Sequence, residues 1–138
     1  MLAVQLEKSI PVGINDSQLL QQLQETSFNG FYLEVLKKAA PFNDEEIAHW
    51  LNINVKTFRT YKKPNQELNI GLREHVLSLL SLMKHGKKLF GTSQNFKQWL
   101  MAENFFLDGK APVDFLQTIT GIRFIDEKLT AMEFGDNI

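Results

Sequence analysis

The chain has no cysteine, which excludes a disulfide framework and a thiolate metal site. No segment reaches the roughly 18 consecutive apolar residues that a membrane span requires. The opening Met1-Leu2-Ala3-Val4-Gln5-Leu6-Glu7-Lys8 lacks the basic stretch and long apolar run of a secretory signal. A cytoplasmic location without membrane contact is therefore expected. Alternation of β-branched residues never persists for more than a few positions, so no sheet is expected. Internal repeats and low-complexity runs are also missing. What remains is an ordinary globular composition, 138 residues with 43% apolar and 22% charged side chains. That is enough to bury a core, either as one domain or as two small ones sharing a helix.

A formal net charge of −1 excludes a uniformly basic nucleic-acid coat, but it averages over a strong asymmetry. Residues 1–46 carry a net −4, residues 47–88 a net +6 and residues 89–138 a net −3. A basic block between acidic flanks creates a local field that can hold a polyanion on an almost neutral molecule. The plainer alternative is a solvated helix face with lysines scattered on it.

Apolar residues recur at intervals of three and four, which predicts an all-α fold. Pro11 and Gly13 exclude a helix there, so residues 1–15 read as an extended arm. Asp16 is placed to cap a glutamine-rich helix to about Thr26. Phe31, Tyr32, Val35, Leu36 and Ala39 give a second helix its stripe before Pro41. Asn43-Asp44-Glu45-Glu46 is a start signal, with a capping side chain, acids in the first turn and Glu at the third helical position. That helix carries Ile47, Ala48, Trp50 and Leu51 to Asn52, and another runs from Val55 to about Tyr61, before Pro64 and Asn65. Asn69 caps the longest helix, about residues 70–89, with Leu72, Val76, Leu79, Leu80, Leu82 and Met83 on its buried side. At about 1.5 Å per residue it spans about 30 Å. Beyond Phe90-Gly91, Thr92 or Ser93 caps a helix with Phe96, Trp99 and Leu100. Asp108-Gly109 makes a turn, and Pro112 opens a short helix through Phe115 and Leu116. Thr120 is placed to cap a last helix with Ile122, Ile125, Leu129 and Met132, which Gly135 ends.

Residues 47–61 fit a helix-turn-helix. Such a unit needs a small residue where its helices cross, a turn that tolerates a left-handed backbone, and a second helix with one buried and one free face. Ala48 is the small residue, and Ile47, Leu51, Ile53, Val55, Phe58 and Tyr61 supply the apolar set. Asn52 occupies the turn, since asparagine enters the left-handed region more readily than most residues. Asn54 caps the second helix, whose other face offers Lys56, Thr57, Arg59 and Thr60, followed by Lys62 and Lys63. Those six are the candidate DNA contacts. Arg59 can bind a guanine edge bidentately, while Lys62 and Lys63 suit phosphates. The alternative is a helical hairpin whose second helix is merely basic. Lys84, Lys87 and Lys88 read as a solvated face.

Catalysis finds no support. His49, His75 and His85 lack metal-ligand spacing, so no metal, cofactor or catalytic residue is expected. Glu45 and Glu46 precede His49 at helical distances, which reads as an acidic patch beside a half-buried histidine. Asp126 and Glu127 point in different directions on their helix. The serines lie in no strand-turn-helix elbow, and no glycine loop cradles phosphate.

The second half carries Leu89-Phe90-Gly91, Phe96, Trp99-Leu100, Asn104, then Leu107-Asp108-Gly109-Lys110-Ala111-Pro112-Val113-Asp114-Phe115-Leu116. Thr120-Gly121 and Met132-Glu133-Phe134-Gly135 complete the series. This order resembles the Xre/MbcA/ParS antitoxins, partners of RES-type toxins, over residues 31–135. Ala111 departs from the threonine often found before that proline, and Asp108 from a glycine-like position. The resemblance implies a helix-turn-helix module followed by a helical C-terminal domain that covers the active site of an NAD-consuming toxin. It also implies a homodimer that represses its own operon at operator DNA and assembles with toxin into a higher complex.

The expected division is an arm and polar helix at residues 1–27, the helix-turn-helix domain at residues 28–90 and the toxin-binding domain at residues 91–138. The last is acidic, which opposes DNA contact and favours a basic pocket on a partner. It is also rich in phenylalanine at positions 105, 106, 115, 124 and 134. Most of these suit a core, and one or two near Asp108 or Gly135 would be interface anchors. The candidate toxin contacts are Asn104, Asp108, Gly109, Phe134, Gly135 and Asp136. The competing function is a stand-alone transcriptional regulator whose C-terminal half dimerises or senses a ligand.

Overall fold

Asparagine and threonine side chains decide where most helices begin in the computed structural model, which describes residues 8–24, 30–63 and 66–135. Helix α1 (Asp16–Leu23) is capped by Asn15, whose Oδ1 accepts from the Gln18 amide at 3.0 Å. Helix α2 (Phe31–Ala39) starts at Gly30 without a side-chain cap. Helix α3 (Asp44–Trp50) opens with a complete Asn43–Glu46 capping box. Asn54 caps α4 (Val55–Tyr61) at 2.7 Å, and Asn69 caps α5 (Ile70–Phe90) at 2.9 Å. Thr92 caps α6 (Ser93–Met101). Two 3₁₀ turns follow, Phe105–Leu107 and Pro112–Phe115, before α7 (Ile119–Glu133). No β-strand occurs among the described residues, so the fold is all-α.

Several boundaries differ from expectation. The cap of α1 is Asn15, and Asp16 is instead its first helical residue, where its charge meets the helix dipole. The helix ends at Leu23, and Thr26 lies outside the described residues, as do Pro64 and Asn65. Helix α3 stops at Trp50, short of Asn52. The cap of α7 is Thr118, whose Oγ1 accepts from the Gly121 amide at 2.9 Å, two residues before Thr120. Ala111, before Pro112, supplies no cap, but Asp114 Oδ2 accepts from the Ala111 amide at 3.1 Å.

Helix α5 is the axis of the molecule. It packs against α1, α2, α6 and α7. Burial there is not confined to one side. Residues 75–83 are all buried, including His75, Ser78 and Ser81. A helix enclosed on all sides needs apolar residues around its whole circumference, which the run Val76-Leu77-Ser78-Leu79-Leu80-Ser81-Leu82-Met83 provides. Fully burying one such leucine is worth about 1.5–3 kcal/mol before entropy is counted. Gly86 is where α6 crosses closest, since a Cβ there would collide with the Phe96 ring.

Of the expected arm, residues 1–7 lie outside the described residues and the rest is docked. Residues 8 and 9 are helical, and residues 10–15 lie in irregular backbone against α5 and α7. The Gly13 amide donates to the Ser81 carbonyl at 3.2 Å, and the Ile14 amide to Asp126 Oδ2 at 3.0 Å. Lys84, expected on a solvated face, donates to the Ile10 carbonyl at 2.6 Å. Arg123 on α7 pairs with Asp16 at 2.8 Å.

Candidate nucleic-acid and protein interfaces

Helices α3 and α4 meet as the sequence requires of a helix-turn-helix. Ala48 is buried at their crossing, the Ile53 amide donates to its carbonyl at 3.1 Å, and Asn52 sits at φ 60°. Phe58 turns fully inward. Lys56, Arg59, Thr60 and Lys63 are exposed, and their spacing of three, four and seven places them on one helix face. Thr57 and Lys62 are partly buried at its margin.

Arg59 is not free on that face. Its Nε lies 3.1 Å from Asp44 Oδ2, and its Nη2 lies 3.4 Å from Glu45 Oε1. Lys37 and Lys62 approach the other Asp44 oxygen at 3.4 and 3.8 Å. Burial alone would raise the Asp44 carboxyl, but the bonded Arg59 and the cations Lys62 and Lys37 outweigh it and hold the pKa below its usual value. The first turn of α3 therefore competes with any other anion for Arg59. Its neighbour His49 is exposed rather than half-buried.

The loop at residues 104–110 is closed by Asn104. Its amide donates to the Lys110 carbonyl at 3.0 Å, its carbonyl accepts from Gly109 at 3.1 Å, and its Oδ1 accepts from Phe106 at 2.8 Å. Leu107 pins the loop to the core, while Phe105 and Phe106 project outward at 88% and 55% exposure. Their rings meet edge to face at 5.6 Å. Asp108 adopts φ 56° and Gly109 φ 78°, both exposed at the tip. Phe134, 82% exposed, and Gly135 lie at the end of α7. Asp136 is outside the described residues. The candidate set thus divides between a loop tip and a helix end, with Asn104 a part of the loop's own scaffold.

A cluster the sequence did not announce lies beneath. His85 on α5 is buried, with Nδ1 at 2.7 Å from Asp126 Oδ1 and Nε2 against Glu133 Oε1. Burial alone would lower its pKa, but the two carboxylates outweigh it and raise it above 6.5. Asp126 and Glu133, seven residues apart, share one face of α7, and that spacing was the available signal. They engage opposite ring nitrogens, so they share no point for a metal. No metal-binding group of three such side chains occurs among the described residues.

Hydrogen bonds join the α3–α4 turn and α5 to the segment before α7. Asn52 Nδ2 donates to the Gln117 carbonyl at 2.9 Å, and Gln117 Nε2 donates back to Asn52 Oδ1 at 3.3 Å. His75 Nε2 lies 2.9 Å from the Leu116 carbonyl. Gly121 approaches the Phe115 carbonyl so closely that a Cβ would collide with it.

Residues 85–135 match the family described as the antitoxin Xre/MbcA/ParS C-terminal toxin-binding domain. The matched segment opens on His85 and contains Asp126, Glu133 and the three phenylalanines exposed among the described residues. A comparison with curated proteins finds no match to the chain.

Proposed function

We propose that this chain, an Xre/MbcA/ParS-type antitoxin by its C-terminal domain, neutralises a RES-type, NAD-consuming toxin by direct binding. Asp108, Gly109, Phe134, Gly135 and Asp136 make the contact, with Asn104 shaping the loop and Phe105 and Phe106 as its apolar anchors. The protein acts by binding, without catalysis of its own, in the cytoplasm. Through α3 and α4 it also holds operator DNA and represses its own operon. Arg59 reads a base edge, Lys56, Lys62 and Lys63 meet phosphates, and Thr57 and Thr60 flank them. A homodimer builds the higher complex with toxin. Residues 28–90 serve DNA and residues 91–138 serve toxin.

One observation carries the toxin half of this reading: the family match coincides with large apolar side chains left in water. Covering a side chain of this size recovers about 1.5–3 kcal/mol, which makes exposed phenylalanines strong anchors. Co-expression of the full chain with the product of the adjacent reading frame tests it. The expected result is restored growth and a complex that co-elutes. The double variant Phe105→Ser/Phe106→Ser should lose rescue while keeping its helical circular dichroism. A wild-type chain that neither rescues nor co-elutes would leave the stand-alone regulator. Full rescue by the double variant would move the contact elsewhere.

A further inference from the structure

A recess of about 540 Å³ opens where residues 10–12, α2, α5 and the start of α6 meet, lined by none of the residues assigned to either interface above. Ile10, Val35, Leu80 and Met83 form its floor, and Val12 stands at the mouth, 45% exposed. Lys38, Lys84, Lys87 and Lys88 surround it. Lys84 already donates to the Ile10 carbonyl. Lys38, Lys87 and Lys88 form no ion pair among the described residues.

The lining also selects by what it omits. Among the described residues it has no aromatic ring on which a base could stack and no side-chain carboxylate or amide to accept from a sugar hydroxyl. Its polar side chains among the described residues are four lysines, which only donate, and the Ser93 hydroxyl, a set suited to an anionic head. The volume falls in the range of small-molecule sites, roughly 300–1,000 Å³. We propose that this recess binds an aliphatic carboxylate, its chain lying on Val35, Leu80 and Met83 and its head held among Lys38, Lys87 and Lys88. Val12 forms one wall, and the next two residues bond to Ser81 and Asp126. A bound ligand therefore fastens the N-terminal segment to α5 and α7.

Decanoate is the probe, titrated calorimetrically into the full chain beside 1-decanol and acetate. Decanoate should bind saturably, one per chain, and raise the melting temperature. Decanol should bind at least about tenfold more weakly, and acetate should give no signal. Lys87→Gln/Lys88→Gln should weaken decanoate about tenfold, the scale expected when charges at a partly desolvated site are removed. Val12→Glu, at an exposed position, should weaken it similarly by placing a like charge at the mouth. Both variants should melt as the wild type does without ligand. Equal affinity for decanol and decanoate would overturn the proposal, as would wild-type binding by the double lysine variant or an absence of saturable binding.

Discussion

Two histidines 10 positions apart on one helix face opposite fates. His85 is held between Asp126 and Glu133, which raise its pKa despite burial, so folding favours its charged form. Its contribution to stability is fully present below about pH 6.5, the unfolded value, and fades as pH rises through the raised folded value. His75 is the reverse. Burial lowers its pKa more than the Leu116 carbonyl raises it, so stability is lost as pH falls below about 6.5 through the lowered folded value. Thermal melting of His85→Gln from pH 5.5 to 9 should show the largest deficit against wild type at the acidic end, narrowing as pH rises. A deficit that widens toward pH 9 would mean that the imidazolium is not the stabilising species.

At the scale of elements, α4 is restrained by α3. Asp44→Asn removes the charge that holds Arg59 and Lys62, and on the operator reading it should tighten DNA binding by about three- to tenfold at low salt. The gain should shrink as salt screens both partners. Fluorescence anisotropy against operator and random duplexes measures it; unchanged affinity would show that the pairing imposes no restraint. The caps give a second test. Thr118→Ala should destabilise the fold by about 1 kcal/mol and Thr120→Ala by much less, measured by urea unfolding.

These two cases also show what a one-dimensional string can carry. Asn43, Asn54, Asn69 and Thr92 were legible because a cap and its amide are three residues apart. Thr118 and Thr120 both offer the same chemistry, and the choice is seen only in the folded backbone, where the Gly121 amide donates to Thr118 Oγ1. The Asn52 turn and the exposed set Lys56, Arg59, Thr60 and Lys63 followed from local pattern. Arg59 finds its acids 14 and 15 residues away, on a neighbouring helix, and dividing the charges at residue 46 placed the partners in different blocks. The His85 cluster joins residues 41 and 48 positions apart, beyond any periodicity. The phenylalanines of the C-terminal half were visible as a group. Which three face water depends on Leu107 turning inward and on where α7 ends.

For the whole molecule, α5 closes the first proposed domain and packs against elements of the second. It packs against α1, α2, α6 and α7, with His75 near its start bonded to the Leu116 carbonyl and His85 and Gly86 near its end meeting α7 and α6. The rod fixes rotation as well as distance, because each residue turns a helix by about 100°. A single alanine inserted after Leu80 would swing His85 away from Asp126, while four inserted residues would bring it back nearly in phase, one turn farther on. The one-residue insertion should therefore collapse solubility and melting cooperativity more severely than the longer one. If both insertions behave alike, the shaft is not what aligns its two ends. By the same rule, a chimera joining the front of this chain to the back of another with the same fold must be spliced in whole turns, so gene fusion along this seam is constrained by angle before it is constrained by sequence.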